Sequence, residues 1–249
     1  MSNDSPVTES SQTNTASTAE LYEYALSGPR TQTRRRAERQ APASYLRYRF
    51  IKRLMDIFLI LLALPMLIPA LLIVALMVWL TSPGPVFFYH RRLCHGGAFF
   101  SMWKFRTMCQ NSAEVLEHHL AEHPEARAEW NKTHKLRNDP RITPVGRFLR
   151  RSSLDELPQI WNVLQGRMSL VGPRPIVAAE VQKYGDCFDC YTKVKPGVTG
   201  LWQVSGRSSL TYNQRVHLDC HYIANWSLTR DCSILLRTLR SVMNSDGAY

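Results

Sequence analysis

The sequence predicts a mixed α/β protein attached to a membrane through one long N-terminal helix. Three observations carry that expectation. Ile57 to Leu80 is a run of 24 residues without a charged or strongly polar side chain, cations crowd both of its flanks, and short strand-like and helix-like patterns follow, punctuated by Pro and Gly. A run of that length can cross a hydrocarbon core of about 30 Å as a helix.

The 249 residues, 45% of them hydrophobic, are ample to bury a core. Charged residues at 20% and aromatics at 10% exclude a wholly disordered or collagen-like chain. A slightly negative mean hydropathy argues against a polytopic membrane protein. Six cysteines without a regular framework read as reduced thiols rather than a secreted disulfide scaffold.

The formal charge of +11 is concentrated. Arg30, Arg34, Arg35, Arg36, Arg39, Arg47, Arg49, Lys52 and Arg53 stand in one stretch against a single acid, Glu38. Such a run could serve nucleic acid, a membrane surface or a solvated face. The adjacent apolar run favours anionic headgroups over nucleic acid. Between Thr81 and Ser112 lie Arg91, Arg92, Lys104 and Arg106 and no acid. Cations at both ends mean that each end prefers the cytoplasm. A segment that dips in and returns satisfies both, and Pro65 and Pro69 within the run would help it turn. A single kinked span stays open, because transmembrane helices tolerate proline.

Residues 1–44, rich in Ser, Thr, Asn and Arg, read as a disordered polar tail. Residues 45–80 form the membrane segment and 81–249 a cytosolic domain. Val86–His90 and Ala98–Lys104 read as strands joined by a turn at Gly96-Gly97. Ala113–Asn131 reads as a surface helix broken or offset near Pro124. Over Leu154–Leu164, helical spacing puts Leu154, Leu157, Ile160, Trp161 and Leu164 on one face. Val171–Pro175 and Lys195–Gly206 read as ordered loops. A last helix, Ser227–Val242, is amphipathic and suits either a membrane interface or ordinary packing.

Several tempting signals carry little. Cys187-Phe-Asp-Cys190 is a CxxC without a second pair, and His118, His119 and His123 lie on a polar helix without matching ligands. A GxGxxG after a strand and a P-loop lysine are both missing, which removes the common dehydrogenase and NTPase readings. The stronger constellation is directed at phosphate. Lys104-Phe-Arg106-Thr107 alternates cations, and Arg141, Arg147, Arg150 and Arg151 precede Asp155-Glu156. Arg174 is then held between Pro173 and Pro175. A guanidinium on a rigid backbone suits bidentate contact with phosphate oxygens. Locally, Ser153-x-x-Glu156 also reads as a helix capping box, with the acids merely complementing the helix dipole. A helix starting nearer Pro158 would instead leave both acids just upstream of its positive end.

Taken in order, the motifs become specific: Lys52-Arg53 with Asp56 before a proline-broken apolar helix, Lys104–Met108, Ser153-Leu-Asp-Glu-Leu157, Val171-Gly-Pro-Arg-Pro175 and Lys195-Pro-Gly-Val-Thr-Gly-Leu-Trp-Gln203. Over residues 50–249 this series strongly resembles the bacterial sugar transferases, the monotopic phosphoglycosyl transferases that use polyprenyl phosphate. The resemblance implies a monotopic fold: a re-entrant membrane helix, interfacial amphipathic helices and a small cytosolic catalytic domain on the inner membrane's cytoplasmic face. It implies Asp155 as nucleophile and Glu156 as the carboxylate associated with Mg2+. Lys104, Arg147, Arg174 and Asp219 fall on the family's other polar site positions, Asp219 in a run that matches only partly. Pro69 falls at the helix break, where Ile68 replaces the serine of the smallest members. The transmembrane helices that precede the core in larger relatives are not expected here.

The implied reaction moves a sugar-1-phosphate from a UDP-sugar to undecaprenyl phosphate, releasing UMP through an aspartyl phospho-sugar. It would begin exopolysaccharide, capsule or O-antigen synthesis. Asp246-Gly-Ala-Tyr249 leans towards glucose or galactose. The rival readings are a UDP-N-acetylhexosamine or diamino-sugar donor, and a non-catalytic, membrane-attached nucleotide-sugar-binding protein. The expected partners are UDP-sugar, undecaprenyl phosphate and membrane lipids, without nucleic acid; a homodimer is compatible with the sequence.

Overall fold

The structure, a computed structural model, describes residues 44–206 and 210–243. The polar tail before Ser44 and the closing Asp246–Tyr249 lie outside those residues. The chain runs α1 (Ser44–Thr81), β1 (Phe87–Leu93), β2 (Phe99–Phe105), α2 (Ser112–Glu122), α3 (Pro124–Thr133), α4 (Pro144–Ser152), α5 (Gln159–Leu164) and β3 (Ser169–Val171). It continues through α6 (Val181–Tyr184), α7 (Phe188–Thr192), β4 (Gly197–Thr199), α8 (Tyr212–Ala224) and α9 (Leu228–Met243). Mixed helix and strand, led by one long apolar helix suited to anchoring in a membrane, is the observed class.

α1 has 38 residues and stays helical through Pro65 and Pro69. At 1.5 Å per residue it is about 57 Å long, nearly twice a hydrocarbon core. The prolines lack amide protons, so the carbonyls of Leu61 and Pro65 lose their helical donors on one side of the helix. Both arms of α1 seat on the domain that follows. In the first arm Ile60 is buried against Phe100, Met102, Val163 and Met168. In the second, Val74 and Val78 are buried against Phe105 and Leu149. From residue 61 to 73 nothing is buried, and Met66 is 81% exposed.

Polar locks fix the first arm. Asp231 of α9, fully buried, accepts from Tyr48 Oη at 2.6 Å, Lys52 Nζ at 2.6 Å and Tyr222 Oη at 2.7 Å. Asp56 accepts from Ser169 Oγ at 2.8 Å and from the Leu170 amide at 3.2 Å. Arg53 donates to the Val163 and Leu164 carbonyls at the end of α5, where a cation complements the helix dipole. At the other end, Arg106 donates to the Ser82 carbonyl, just past α1, at 2.6 Å.

β1 and β2 form an antiparallel hairpin across a 3-10 turn at His95–Gly97, with Arg92 opposite Phe100 and Phe88 opposite Lys104. β3 and β4 are parallel, Ser169 opposite Gly197 and Val171 opposite Thr199. β4 falls inside the expected loop Lys195–Gly206 and β3 ends where the expected loop Val171–Pro175 begins; three residues each are too few to show a strand period. Their backbones touch so closely that a Cβ on Gly197 would lie 2.1 Å from the Gly172 amide nitrogen. This contact fastens the Val171–Pro175 loop to the Lys195–Gln203 loop. The largest core gathers Val171, Ile176, Phe188, Tyr191, Tyr222 and Ile234 behind the pair.

Three expectations need correction. Leu154–Leu164 is not one helix: a 3-10 turn, Leu154–Glu156, precedes α5, and Trp161 is 57% exposed while Gln159, Asn162 and Val163 are buried. Pro158 has no amide to continue a helix from the turn, so the face rotates when α5 starts afresh. The Ser153 capping box does not form; Ser153 sits left-handed at φ 57° and its side chain makes no cap hydrogen bond. The cysteines are not all free thiols: Cys187 and Cys220 form a disulfide, joining a pair 33 residues apart that spacing cannot reveal.

Candidate active site

Asp155 and Glu156 occupy the 3-10 turn between α4 and α5. Thr143 caps α4 by accepting from the Gly146 amide, with Pro144 in the first turn, so the helix starts at a fixed place. Gly146 lets α4 lie against the exit of β2; a Cβ there would stand 2.1 Å from the Thr107 carbonyl oxygen. Ser153 then turns the chain sharply, in a conformation that costs a non-glycine residue roughly 1 kcal/mol. Asp155 ends up buried at 9% exposure while the neighbouring Glu156 side chain remains 38% exposed.

Lys104, at the end of β2, reaches both acids. Its Nζ lies 2.6 Å from Glu156 Oε1 and 3.8 Å from Asp155 Oδ2. Burial pushes the Asp155 carboxyl up to about 6; Lys104 and Arg150 pull it down and Glu156 pushes it further up. Arg150 is held in place by its Nε donating to Thr107 Oγ1 at 3.0 Å. Arg147, one helical turn earlier, is exposed and forms no ion pair with either acid. Sequence reasoning singled out Arg147, whereas the α4 arginine acting electrostatically on Asp155 is Arg150.

A second cluster surrounds Arg174. Its guanidinium lies over the Trp202 ring at 5.4 Å, and Arg215 lies over the same ring at 5.0 Å. Arg215 Nε also donates to the Leu210 carbonyl at 3.1 Å. The backbone amide of Arg174 donates to Asp219 Oδ2 at 3.2 Å, and Tyr184 Oη donates to the same oxygen at 2.8 Å. Burial pushes the Asp219 carboxyl up to about 7, against both hydrogen bonds and Arg174. Asp219 therefore anchors the loop carrying Arg174 through its backbone.

Arg92 links the clusters. Burial pushes its guanidinium down, Arg174 adds to that push, and Glu180 and Glu156 oppose it. It pairs with Glu180 at 3.6 Å and donates to the Pro175 carbonyl at 3.3 Å, while its buried Nε has no hydrogen-bond partner. In the sequence Arg92 registers only as a flanking charge, Trp202 only as part of a motif, and Arg215 not at all. The hairpin turn at Gly96-Gly97 could have revealed Arg92, because closing it there sets Arg92 opposite Phe100 on the strand that carries Lys104. Cys187 is bonded to Cys220 and Cys190 is a separate buried thiol. His119 and His123 stack on one another at 4.4 Å, and His118 pairs with Glu122.

The donor set suits Mg2+ in one respect. Mg2+ takes hard oxygens, commonly one or two carboxylates completed by substrate phosphates and water. Glu156 is partly open to solvent, and Lys104 engages only its Oε1. No group of three or more His, Cys, Asp or Glu that could cage a metal occurs among the described residues. Glu156, with Asp155 beside it, would therefore hold the ion jointly with a bound phosphate.

A buried carboxylate, a partly exposed ammonium and guanidinium groups over an indole ring thus share a chain with one long apolar helix suited to anchoring in a membrane. The chain belongs to the bacterial sugar transferase family, whose model matches residues 47–245. It is 50% identical over 201 residues to the UDP-galactose-lipid carrier transferase of Erwinia amylovora, covering 81% of this chain and 42% of that protein. Against the undecaprenyl-phosphate galactose phosphotransferase of Salmonella typhimurium the identity is 51% over 202 residues, with 81% and 42% covered. Against the exopolysaccharide production protein ExoY of Sinorhizobium fredii it is 45% over 198 residues, covering 80% of this chain and 88% of ExoY. The chain thus spans under half the length of the first two and most of the third.

Proposed function

We propose that this chain transfers a hexose-1-phosphate, glucose or galactose, from a UDP-sugar to undecaprenyl phosphate, working at the cytoplasmic face of a bacterial inner membrane. The observation that carries the reading is the placement of Asp155. A carboxylate with a raised pKa lies between Lys104 and Arg150, next to a metal-competent Glu156 and close to the second arm of α1. The relatives' names supply the substrate class: galactose and a lipid carrier for one, undecaprenyl phosphate for another.

In the reaction, a carboxylate oxygen of Asp155 attacks the β-phosphorus. The bond from that phosphorus to the bridging oxygen breaks, and UMP leaves with the electron pair. The acceptor's phosphate oxygen then attacks the sugar-phosphoryl aspartate and restores the carboxylate. Lys104 and Arg150 balance charge around Asp155, and Arg174 and Arg215 hold phosphate oxygens. Bound at Glu156, Mg2+ would supply further neutralisation of diphosphate charge.

The membrane segment in this reading is re-entrant. Its support is that both arms of α1 pack on one domain, whereas the stretch around the prolines is unburied. Between the seated positions Ile60 and Val74 a straight helix rises only about 21 Å, short of the roughly 30 Å needed to cross a hydrocarbon core. UMP release by the purified chain from UDP-galactose, UDP-glucose and UDP-N-acetylglucosamine, each with undecaprenyl phosphate, tests the function. Hexose-dependent release is expected. Preference for the N-acetylated donor would reassign the sugar, and no release from any donor would leave only a binding protein.

A further inference from the structure

A cavity of about 40 Å³ opens beside the first arm of α1, and none of Lys104, Asp155, Glu156 or Arg174 lines it. Five cations line it against one carboxylate, Asp56. Among them, Lys52 pairs with Asp231, and Asp56 is hydrogen-bonded to Ser169 and Leu170. Arg53 gives one N–H from each terminal nitrogen to a neutral carbonyl, which leaves its charge undiminished and further N–H donors to offer. Lys195 has no acid within ion-pair distance among the described residues. Burial pushes its ammonium down, and Arg53 and Arg49 push it further. Such crowding is costly without an anion.

The position of the cavity selects the anion. On the same arm, Phe50, Leu54 and Phe58 are exposed and apolar. Trp226 lines the cavity and packs edge-on to Tyr48 at 4.3 Å, an aromatic pair suited to headgroup depth. Cations therefore meet apolar surface where a bilayer places its phosphates. We propose that this cavity is a second anion site, separate from the reaction centre, that binds the phosphate of an anionic membrane phospholipid. Arg49, Arg53 and Lys195 hold the phosphate, and the acyl chains lie along α1. The proposal rests on α1 being seated in a membrane and is independent of the chemistry at Asp155.

The test is native mass spectrometry of the full chain in detergent with equimolar phosphatidylglycerol and phosphatidylcholine. Wild type should retain phosphatidylglycerol preferentially. Lys195→Met and Arg49→Gln should each lower that retention roughly fivefold, the worth of one interfacial cation. Lys195→Arg should restore it, and UMP release from a UDP-sugar should be unchanged in all three variants. Unaltered retention in both charge-removing variants, or equal retention of the two lipids, would overturn the proposal. So would displacement of phosphatidylglycerol by inorganic phosphate as readily as by a short-chain phosphatidylglycerol, which would make the site one for soluble anions. Failure of the transferase reading shows separately, as wild type that retains lipid but releases no UMP.

Discussion

In the proposed reaction Asp155 must be ionised to attack phosphorus, and its carboxyl is pushed up to about 6 by burial, with Lys104, Arg150 and Glu156 as the charged groups around it. Protonation below that range would remove the proposed nucleophile. Single-turnover UMP release without lipid acceptor should hold steady above neutrality and fall towards tenfold per pH unit below about 6. Omitting the acceptor keeps its own phosphate titration out of the profile. A flat profile down to pH 4 would place the essential ionisation elsewhere. Arg174 makes a second test, because stacking on Trp202 and bidentate phosphate contact both need a planar guanidinium. Arg174→Lys should keep the fold, since the hydrogen bond to Asp219 comes from the backbone. It should lower kcat/KM by more than tenfold, or about 1.4 kcal/mol. Short contiguous motifs single out Asp155, Glu156, Lys104 and Arg174 in the sequence, and the structure brings the first three into contact. Arg150's role was not visible there, because only the Ser153 turn decides which α4 arginine the acids meet.

α1 was legible as an apolar helix with boundaries close to Ser44–Thr81, since hydrophobic length and flanking charge are properties of the chain itself. Its attachment was not legible: the partners of Lys52 and Asp56 lie 179 and 113 residues away. Asp231 is the hub, buried with Lys52 and two tyrosine hydroxyls on it. Asp231→Ala would strand a buried ammonium and two donors, so a loss of about 3–5 kcal/mol is expected, read as a lower melting temperature in detergent. Topology is testable on the same helix. Single cysteines at the exposed positions Arg47 and Thr81 should both resist a membrane-impermeant thiol reagent applied to intact spheroplasts and react after lysis. Labelling of one of them from outside would make α1 a single span.

The part of the chain after α1 brings two loops and a turn to one place. β2 delivers Lys104, the turn after α4 delivers the acids, and the β3–β4 contact holds the Arg174 and Trp202 loops together. This convergence was only partly legible, because β3 and β4 are too short to announce themselves and the disulfide between Cys187 and Cys220 has no spacing signal. It has a kinetic consequence. In the proposed reaction both substrates carry phosphate, and with a single buried carboxylate at the centre they should take turns at it. Varying UDP-galactose and undecaprenyl phosphate together should give parallel double-reciprocal lines. The chain with UDP-galactose alone should accumulate a hexose-phosphate adduct that peptide mass spectrometry maps to Asp155. Asp155→Asn should abolish both adduct and turnover, whereas Glu156→Gln should chiefly raise the Mg2+ concentration needed. Intersecting lines without an adduct would mean direct transfer in a ternary complex. Asp155 would then organise phosphate charge from beside the reacting atoms instead of bonding to phosphorus.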